Sequence, residues 1–371
     1  MVKIKKRIIR WYVSDNWLKR CLSYMTSYPY VFFFFLKDNI MDIIRRPKSM
    51  KNYGIIKHRF IVSIDMLFCY LFLGYEPAAY ASYTFQNLTL SKILTFIPTY
   101  EYILFINFLN VDFNKEILNN KKKTYENLRD FYGREQITIK TEEDFQLFND
   151  FVSRHKKFFF KPLYGSLGAG AGLANIEKID VKAFFGNLIS SGEYVIEELI
   201  NQHKDISSFH PSSVNTIRVV VLKAERTTEI LFGCLRCGSG GRVVDNGAAG
   251  GIFIPFDPQN GCLLKYGFDE YGRKYTSHPD TKIKFEGFQI PFFNELKVIA
   301  IKATESLQGL KYVGWDIAIT KDKIMIVEGN ICPTMLILEG LHKTGFKAEL
   351  RSIARSGNIP VNFRAKLKNI C

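Results

Sequence analysis

Gly314-Trp315-Asp316-Ile317-Ala318-Ile319-Thr320, then Lys321-Asp322-Lys323, then Ile324-Met325-Ile326-Val327-Glu328-Gly329-Asn330 is the stretch on which the reading of this chain turns. Its arms have strand composition and its centre has turn composition, which predicts an antiparallel hairpin. With the turn centred on Asp322, Asp316 faces Glu328, Ile317 faces Val327 and Ile319 faces Met325. Side chains alternate along a strand, so Ile317, Ile319, Met325 and Val327 share an apolar face while Asp316, Glu328 and Asn330 share the other. Facing residues hold their Cβ atoms about 4.5–5.5 Å apart, and like charges there destabilise the pair. A shared proton, an arginine or a hard divalent cation would relieve the repulsion, and an Asp/Glu/Asn oxygen set suits Mg²⁺. The competing reading is a solvated hairpin with incidental acids, so the rest of the chain has to decide.

Upstream, Leu296, Ile299, Ala300, Ala303, Leu307 and Leu310 recur at helical period and deliver the chain to the hairpin. Before them, Ser213-Val214-Asn215-Thr216-Ile217-Arg218-Val219-Val220-Val221 reads as a β-branched strand. Arg218 stands there among buried-type residues, where an unpaired guanidinium is costly, so it needs an anion from a protein carboxylate or a substrate phosphate. Ile230 to Arg236 and the glycine-dense run from Gly238 to Gly251, with Arg242, Asp245 and Asn246, continue an antiparallel sheet, and Phe253 to Phe256 is a further strand. His278-Pro279-Asp280-Thr281 lies in a long connection over residues 267–290, and a single His is usually structural. Tyr194 to Ile200 is another strand, running into Gln202-His203-Lys204-Asp205.

Lys157 to Pro162 reads as a short strand leading into Leu163-Tyr164-Gly165-Ser166-Leu167-Gly168-Ala169-Gly170-Ala171-Gly172. Its clustered glycines let the backbone approach a ligand and offer N–H groups to phosphate oxygens. The loop lacks the Gly-Lys-[Ser/Thr] of a Walker A, and Leu173 breaks a G-x-G-x-x-G, so alone it reads as a flexible turn. Further upstream, Lys121-Lys122-Lys123 open a helix that ends near Gly133, and Phe145, Phe148, Phe151 and Val152 have the spacing of a helix packed on a core. The first 110 residues read as aromatic-rich helices broken at Pro29, Pro47, Pro77 and Pro98.

At 371 residues the chain can bury a large core and divides into two or more units. Residues 1–60 hold 14 Lys or Arg and three Asp, a net +11 of the total +15, which leaves +4 for the remainder. With Trp11, Tyr12, Trp17 and Phe32 to Phe35 in the same stretch, an anionic lipid surface is a candidate partner. Nucleic acid would attract the same charge but is not the expected partner, and a basic solvated face is the plain alternative. Seven cysteines, odd in number and without framework spacing, point to a reducing compartment. Cys234 and Cys237 form a lone CxxC that no second pair or nearby His completes as a zinc set. The apolar runs Val31–Leu36 and Met66–Tyr75 are shorter than the about 20 residues that a bilayer span needs. The expectation is therefore a cytoplasmic protein without a transmembrane helix or signal peptide, placed free or at the inner face of the membrane.

Taken in order, these pieces resemble the ATP-grasp superfamily: a lysine on a helix, Lys-Pro with a glycine loop, a Glu-Glu strand, an Asn/Arg strand and a terminal Asp…Glu-x-Asn hairpin. Gln202-His203, Ser213 to Arg218, Gly250-Gly251, His278 to Thr281, Gly314-Trp315-Asp316 and Glu328-Gly329-Asn330 are similar to its sugar-transfer-associated branch, found in polysaccharide gene clusters, over roughly residues 75–345. The resemblance implies an α+β ATP-grasp fold, two α+β lobes gripping ATP. It divides the chain into a helical region over 1–115, a first lobe over 116–196, a second lobe over 197–350 and a tail over 351–371. It implies that Lys161 and one of Lys121 to Lys123, with Lys121 and Lys122 the named candidates, bind phosphates, and that the loop holding Gly165, Ser166, Gly168 and Gly170 closes over them. Glu197, Glu198 and Leu199 would hold adenine, Asp205 the ribose, and Asp316, Glu328 and Asn330 two Mg²⁺ ions.

The implied activity is an ADP-forming carboxylate–amine ligase in cell-surface polysaccharide assembly. An acid and an amine, one of them on a sugar, uronic acid or lipid-linked glycan, would be its substrates. Phosphotransfer to a sugar and a non-catalytic basic membrane adaptor are the alternatives. Many ATP-grasp ligases carry an arginine two residues before the hairpin aspartate, where this chain has Gly314. That leaves the acylphosphate-stabilising role to Arg218, Arg236 or Arg242, with Arg218 and Arg236 favoured.

Overall fold

A computed structural model describes residues 2–34, 36–165, 170–240 and 251–368. Ser166, Gly168, Arg242, Asp245, Asn246 and Gly250 therefore lie outside the described residues. Eleven strands among the described residues form two antiparallel sheets. The first comprises β1 (Gln136–Ile139), β2 (Lys157–Pro162), β3 (Gly172–Asn175) and β4 (Tyr194–Glu198), in the order β1-β4-β2-β3. Phe148, Phe151, Phe158 and Phe185 fill its core between the sheet and the helices Phe145–Arg154 and Val181–Ser191. β4 belongs to this sheet through Glu198, two residues past the boundary expected at 196.

The second sheet holds β5 (Thr216–Lys223), β6 (Thr228–Cys237), β7 (Ile252–Pro255), β8 (Gly267–Phe268), β9 (Lys274–Tyr275), β10 (Tyr312–Ile319) and β11 (Ile324–Asn330). Their order is β11-β10-β5-β6-β7-β8-β9. The alternation along β5 decides its two faces: Ile217, Val219 and Val221 pack with the helix Phe293–Ser306, while Val220 and Leu222 pack with the helix Thr99–Leu109 and the C-terminal helices. Arg218 has the same parity as Val220, so it occupies the end of that second face. Cys234 and Cys237, three apart on β6, fall in the two different cores and cannot share an ion.

The hairpin forms with one departure from the expected register. Asp316 does face Glu328, but Ile317 faces Ile326, Ala318 faces Met325 and Ile319 faces Ile324. Val327 is an extra residue in β11, a bulge that leaves two residues on one strand against one on the other. Ile326 rather than Val327 therefore joins Ile317 and Ile319 in the core.

The first 115 residues are mainly helical, as expected, with breaks at two of the four prolines. Pro77 opens a helix and Pro98 caps one, but Pro29 lies within Trp17–Phe34 and Pro47 within Leu36–Asn52. An internal proline removes a backbone hydrogen bond. At Pro47 the flanking Ile43 and Met50 are buried in one cluster with Met66 and Tyr80, and that burial holds the helix together across the gap. The last residues also pack: Ile353, Phe363 and Leu367 are part of the core beneath the second sheet.

Candidate active site

The helix Lys121–Tyr132 starts where Asn120 Oδ1 accepts from the Lys123 amide at 3.0 Å and stops at Gly133, whose φ of 60° few residues other than glycine adopt readily. This puts Lys121 in the first turn and Arg134 just beyond the last. Lys121 Nζ donates to the carbonyls of Leu163, at 3.2 Å, and Gly165, at 2.9 Å, at the root of the glycine loop. Burial, and then the neighbouring Lys161, hold its ammonium below the ordinary lysine value. Two cations from separate elements are thus gathered at one place. Lys122 is exposed and does not reach it.

Arg134 was not anticipated. It is buried and ties the first sheet to the hairpin: Nη1 donates to Ile326 O at 2.7 Å, and Nη2 to Val327 O at 3.3 Å and to Glu197 Oε1 at 3.1 Å. The other oxygen of Glu197 pairs with Lys161 Nζ at 3.0 Å. Burial works to raise the Glu197 carboxyl, and its two cations more than offset that, holding it below the usual range. Glu197 therefore serves through its side chain, orienting Lys161, in addition to any backbone contact. Glu198 Oε2 accepts from the Glu135 amide at 3.1 Å.

Beside these residues opens a cleft of about 480 Å³, walled by Phe159, Leu173, Leu199, Val214 and Val327, with Lys161 and Glu197 at one end. The bulge is what turns Val327 into this wall instead of the core. Asp205 is exposed, its carboxylate 3.7 Å from His203 Nδ1, and is not among the residues that line this cleft. Gly165 and Gly170 bound the glycine loop with φ of 113° and 73°, left-handed backbone that favours glycine.

Across the second sheet, Glu328, Asp316 and Arg218 stand side by side on successive strands. Arg218 grips Asp316 with Nε on Oδ1 and with Nη2 on Oδ2 at 2.6 Å, and Arg236 Nη1 reaches the same Oδ2 at 2.8 Å. Asp316 is 4% exposed. Burial alone would raise its carboxyl, but Arg218 and Arg236 bring it down to about 2. Glu328 has no hydrogen-bond or ion-pair partner among the described residues. Glu328 is exposed to solvent; crowding by the protein, and then Asp316, raise its carboxyl above the ordinary value, while Lys161, Arg218 and Lys121 pull the other way.

Gly314 is required by Pro333: a Cβ there would sit 2.8 Å from Pro333 Cβ, while its 3.4 Å to Arg218 Cδ would be ordinary contact.

These donors fit a magnesium ion unevenly. Glu328 supplies an unpaired carboxylate and Asn330 an amide, and Asn330 Nδ2 is 3.5 Å from Asp316 Oδ2. Asp316 already carries both arginines, and an ion joining it would share oxygens that Arg218 and Arg236 contact. The repulsion read from the sequence is thus relieved by arginine at Asp316 and is left for a cation at Glu328.

The remaining motif residues brace the site. Gln202 exchanges hydrogen bonds with the Asn215 backbone, and Asn215 Nδ2 donates to Ile206 O and His210 O, both at 3.0 Å. His278, fully buried, contacts Gly238 O through Nε2 at 2.9 Å and caps the Asp280 and Thr281 amides through Nδ1. Asp280 then accepts from the Gly240 amide at 2.8 Å, at the edge of the described residues.

Comparison with family models matches residues 102–355 to sugar-transfer associated ATP-grasp. The chain belongs to this family. Its fold is accordingly the α+β ATP-grasp fold, and the cleft is lined from both of its sheets. Among solved structures, the ATP-grasp ligase PsnB with a minimal precursor is 14% identical, covering 65% of this chain and 61% of that one at a TM-score of 0.40. N5-carboxyaminoimidazole synthetase from Staphylococcus aureus with ADP is 14% identical, covering 66% and 53% at 0.43. D-alanine-D-alanine ligase from Coxiella burnetii is 12% identical, covering 68% and 57% at 0.37. The chain spans less than two thirds of the length of each, and likeness at these scores bears on neither substrate nor residue roles. No curated protein matches the chain.

Proposed function

We propose that this ATP-grasp protein is an ATP- and Mg²⁺-dependent ligase that joins a carboxylate to an amine on a cell-surface saccharide or its precursor. The observation that carries the reading is the convergence of Lys121 and Lys161 beside the uncompensated Glu328, with Arg218 and Arg236 held on Asp316 next to it. Like cations cost energy when gathered unless an anion occupies the gap, and a polyphosphate answers that need. The apolar walls at Phe159, Leu173 and Val327 suit a purine face, with Glu197 to Leu199 along its edge, and the exposed Asp205, outside the cleft's lining, would take the ribose hydroxyls.

In this reading a substrate carboxylate oxygen attacks the γ-phosphorus and ADP departs. The amine then attacks the acyl carbon, expelling phosphate and a proton, so that acid, amine and ATP become amide, ADP and phosphate. Lys161 and Lys121 hold the phosphates in line, and Arg218 and Arg236 supply fixed positive charge where the transferring group develops negative charge. Magnesium, held by Glu328 and Asn330, would neutralise phosphate charge. The saccharide setting rests on the family alone.

The purified protein with ATP, Mg²⁺ and ¹⁸O-labelled acids should release ADP and labelled phosphate only when an amine is also present. Release of AMP and pyrophosphate would refute the acylphosphate route, and a phosphorylated sugar without need of an amine would assign phosphotransfer instead.

A further inference from the structure

Away from the nucleotide cleft, a second cavity of about 580 Å³ opens between the N-terminal helices, the β8–β9 hairpin and the C-terminal segment. Lys92, Lys274, Lys343 and Lys366 line it, and no carboxylate does. Of the four, Lys366 is paired, with Glu349 at 2.9 Å. Lys92 approaches only the Thr344 hydroxyl, at 3.4 Å, and Lys274 lies over the Tyr266 ring. Lys343 donates to Ser82 O and lies 4.8 Å from the Phe268 ring centre. Its carboxylate neighbour Asp269 is committed to Arg273 at 2.5 Å. Desolvation, partly balanced by Asp269 and reinforced by Lys274, holds Lys343 down to about 8.

Two further observations mark this place as more than a basic surface. Lys343 has φ 47°, left-handed backbone that a side chain adopts at a cost and keeps only where its surroundings impose it. His342, 95% buried by its 5% exposure, also lines the cavity and keeps an Nδ1 without a partner among the described residues. Lys343, strained and desolvated, stands with Lys92 and Lys274, which have no carboxylate partner among the described residues, and with the Thr84 and Thr344 hydroxyls; the neutral His342 adds no charge, and this set of cations is what a polyanion completes.

We infer that this cavity is a second, non-nucleotide binding site for a phosphoryl or diphosphate group, gripped by Lys274, Lys343 and Lys92. The test is calorimetric titration with inorganic pyrophosphate and, separately, with monomeric short-chain phosphatidic acid. Each is run on the full chain without Mg²⁺, alongside Lys161→Met to silence the cleft. Either ligand should bind the Lys161→Met protein, pyrophosphate alone if the source is a soluble phosphate and phosphatidic acid preferentially if it is a lipid. Lys274→Gln should weaken that binding about tenfold, as should the exposed Lys92→Gln, and Lys343→Met more, since charge-assisted hydrogen bonds are the strong ones. ATP binding by these three variants, in the wild-type background, should be unchanged. Failure of both ligands to bind the Lys161→Met protein, or affinity in Lys92→Gln and Lys274→Gln unchanged from that of the Lys161→Met parent, overturns the assignment.

A separate observation concerns the helix Arg59–Phe68 and its continuation to Leu73. Val62, Met66, Cys69 and Tyr70 are buried, while Phe60, Ile61, Ile64, Phe68 and Phe72 stand exposed on the other side, Phe60 at 74% and Phe72 at 72%. Exposed Arg45, Lys48, Lys51, Lys57 and Arg59 adjoin them in sequence without ion-pair partners among the described residues. By contrast, Tyr12, one of the aromatics first noted in this basic region, is buried on Glu101. No single helix among the described residues is long and apolar enough to cross a membrane, although the pair Arg59–Leu73 and Pro77–Tyr83, bent by 117°, passes that test together.

We propose that this face seats on an anionic bilayer surface, apolar side chains entering the acyl boundary and cations meeting the headgroups. The protein should co-sediment with phosphatidylglycerol-containing vesicles and not with pure phosphatidylcholine, and Phe60→Ser/Phe72→Ser should abolish this with ATP binding intact. Equal sedimentation of that variant, or a concentration-dependent dimer that the same substitutions dissolve, overturns it.

Discussion

Replacing Asp316 with Asn tests the arrangement at its centre. One carboxylate, 4% exposed, neutralises two arginines whose side chains are 9% and 13% exposed. Removing one member of a buried ion pair costs about 3–5 kcal/mol, because the partner is left charged and dry. Here two partners are left, and the amide oxygen of Asn can still accept from only part of the fork. The expected loss is therefore about 4 kcal/mol, a large share of the roughly 5–15 kcal/mol of a whole domain. Trp315, next in sequence and fully buried, provides a fluorescence reporter for urea unfolding. Arg236→Met should then cost at least about 1.5 kcal/mol less in the Asp316→Asn background than in the wild type, the signature of residues sharing one partner. A loss below about 1 kcal/mol, or additivity of the two changes, would mean that solvent reaches these guanidiniums and would remove the basis for calling them a preset cationic pair.

Lys161→Ala should weaken ATP·Mg²⁺ binding about tenfold or more by calorimetry, through loss of a charge-assisted contact, and unchanged affinity would displace it from the phosphate end. The buried Glu339, which accepts from the Ile97 and Phe346 amides, has its carboxyl raised by burial to about 8 from an ordinary 4.5. The folded state then holds a proton that the unfolded state releases, so this contribution is complete below 4.5 and is lost as pH rises to about 8. Thermal scans should show melting temperature falling from about pH 6.5 to 8, above the range where His342 titrates, and Glu339→Gln should flatten that fall. Buried His342, pushed down by desolvation to about 4, acts oppositely: its contribution is complete above 6.5 and is lost as pH falls towards about 4. Because the two groups oppose each other between 4.5 and 6.5, the His342 decline is read in Glu339→Gln, and absence of an acid-side fall there would contradict neutral burial of His342.

How far the sequence disclosed this site depends on which residues could announce themselves locally. Asp316 against Glu328 was expected from a turn centred on Asp322, but the ladder beside the turn runs one residue off that register, and the pair faces as expected because the bulge at Val327 restores it. The lysine before the glycine loop and the helix ended by Gly133 were legible for a local reason: a cap, a breaker and a period each act within a few residues. Arg134 gave no such signal. Its partners Glu197, Ile326 and Val327 come from distant parts of the chain, and a lone arginine after a helix-ending glycine looks like any solvated one. The role of Gly314 was equally hidden, because an absent side chain says nothing about which neighbour crowds its place until Pro333 is seen packed against it.

The bulge at Val327 is the sharpest of these cases and can be tested on its own. Alternation in β11 without it would still set Ile317 against Ile326 and Asp316 against Glu328, so deletion of Val327 leaves every ladder pair in register. What deletion removes is one apolar wall of the cleft and one carbonyl on Arg134. Half-burial of a valine against a ligand is worth roughly 1 kcal/mol. ATP affinity should then fall about fivefold, while the urea midpoint, read through Trp315, stays close to that of the wild type. A variant that unfolds would show that the extra residue is needed for pairing, and one that binds ATP as before would remove Val327 from the nucleotide wall. Only the combination of a near-native midpoint and weakened binding assigns the extra residue to the ligand rather than to the fold.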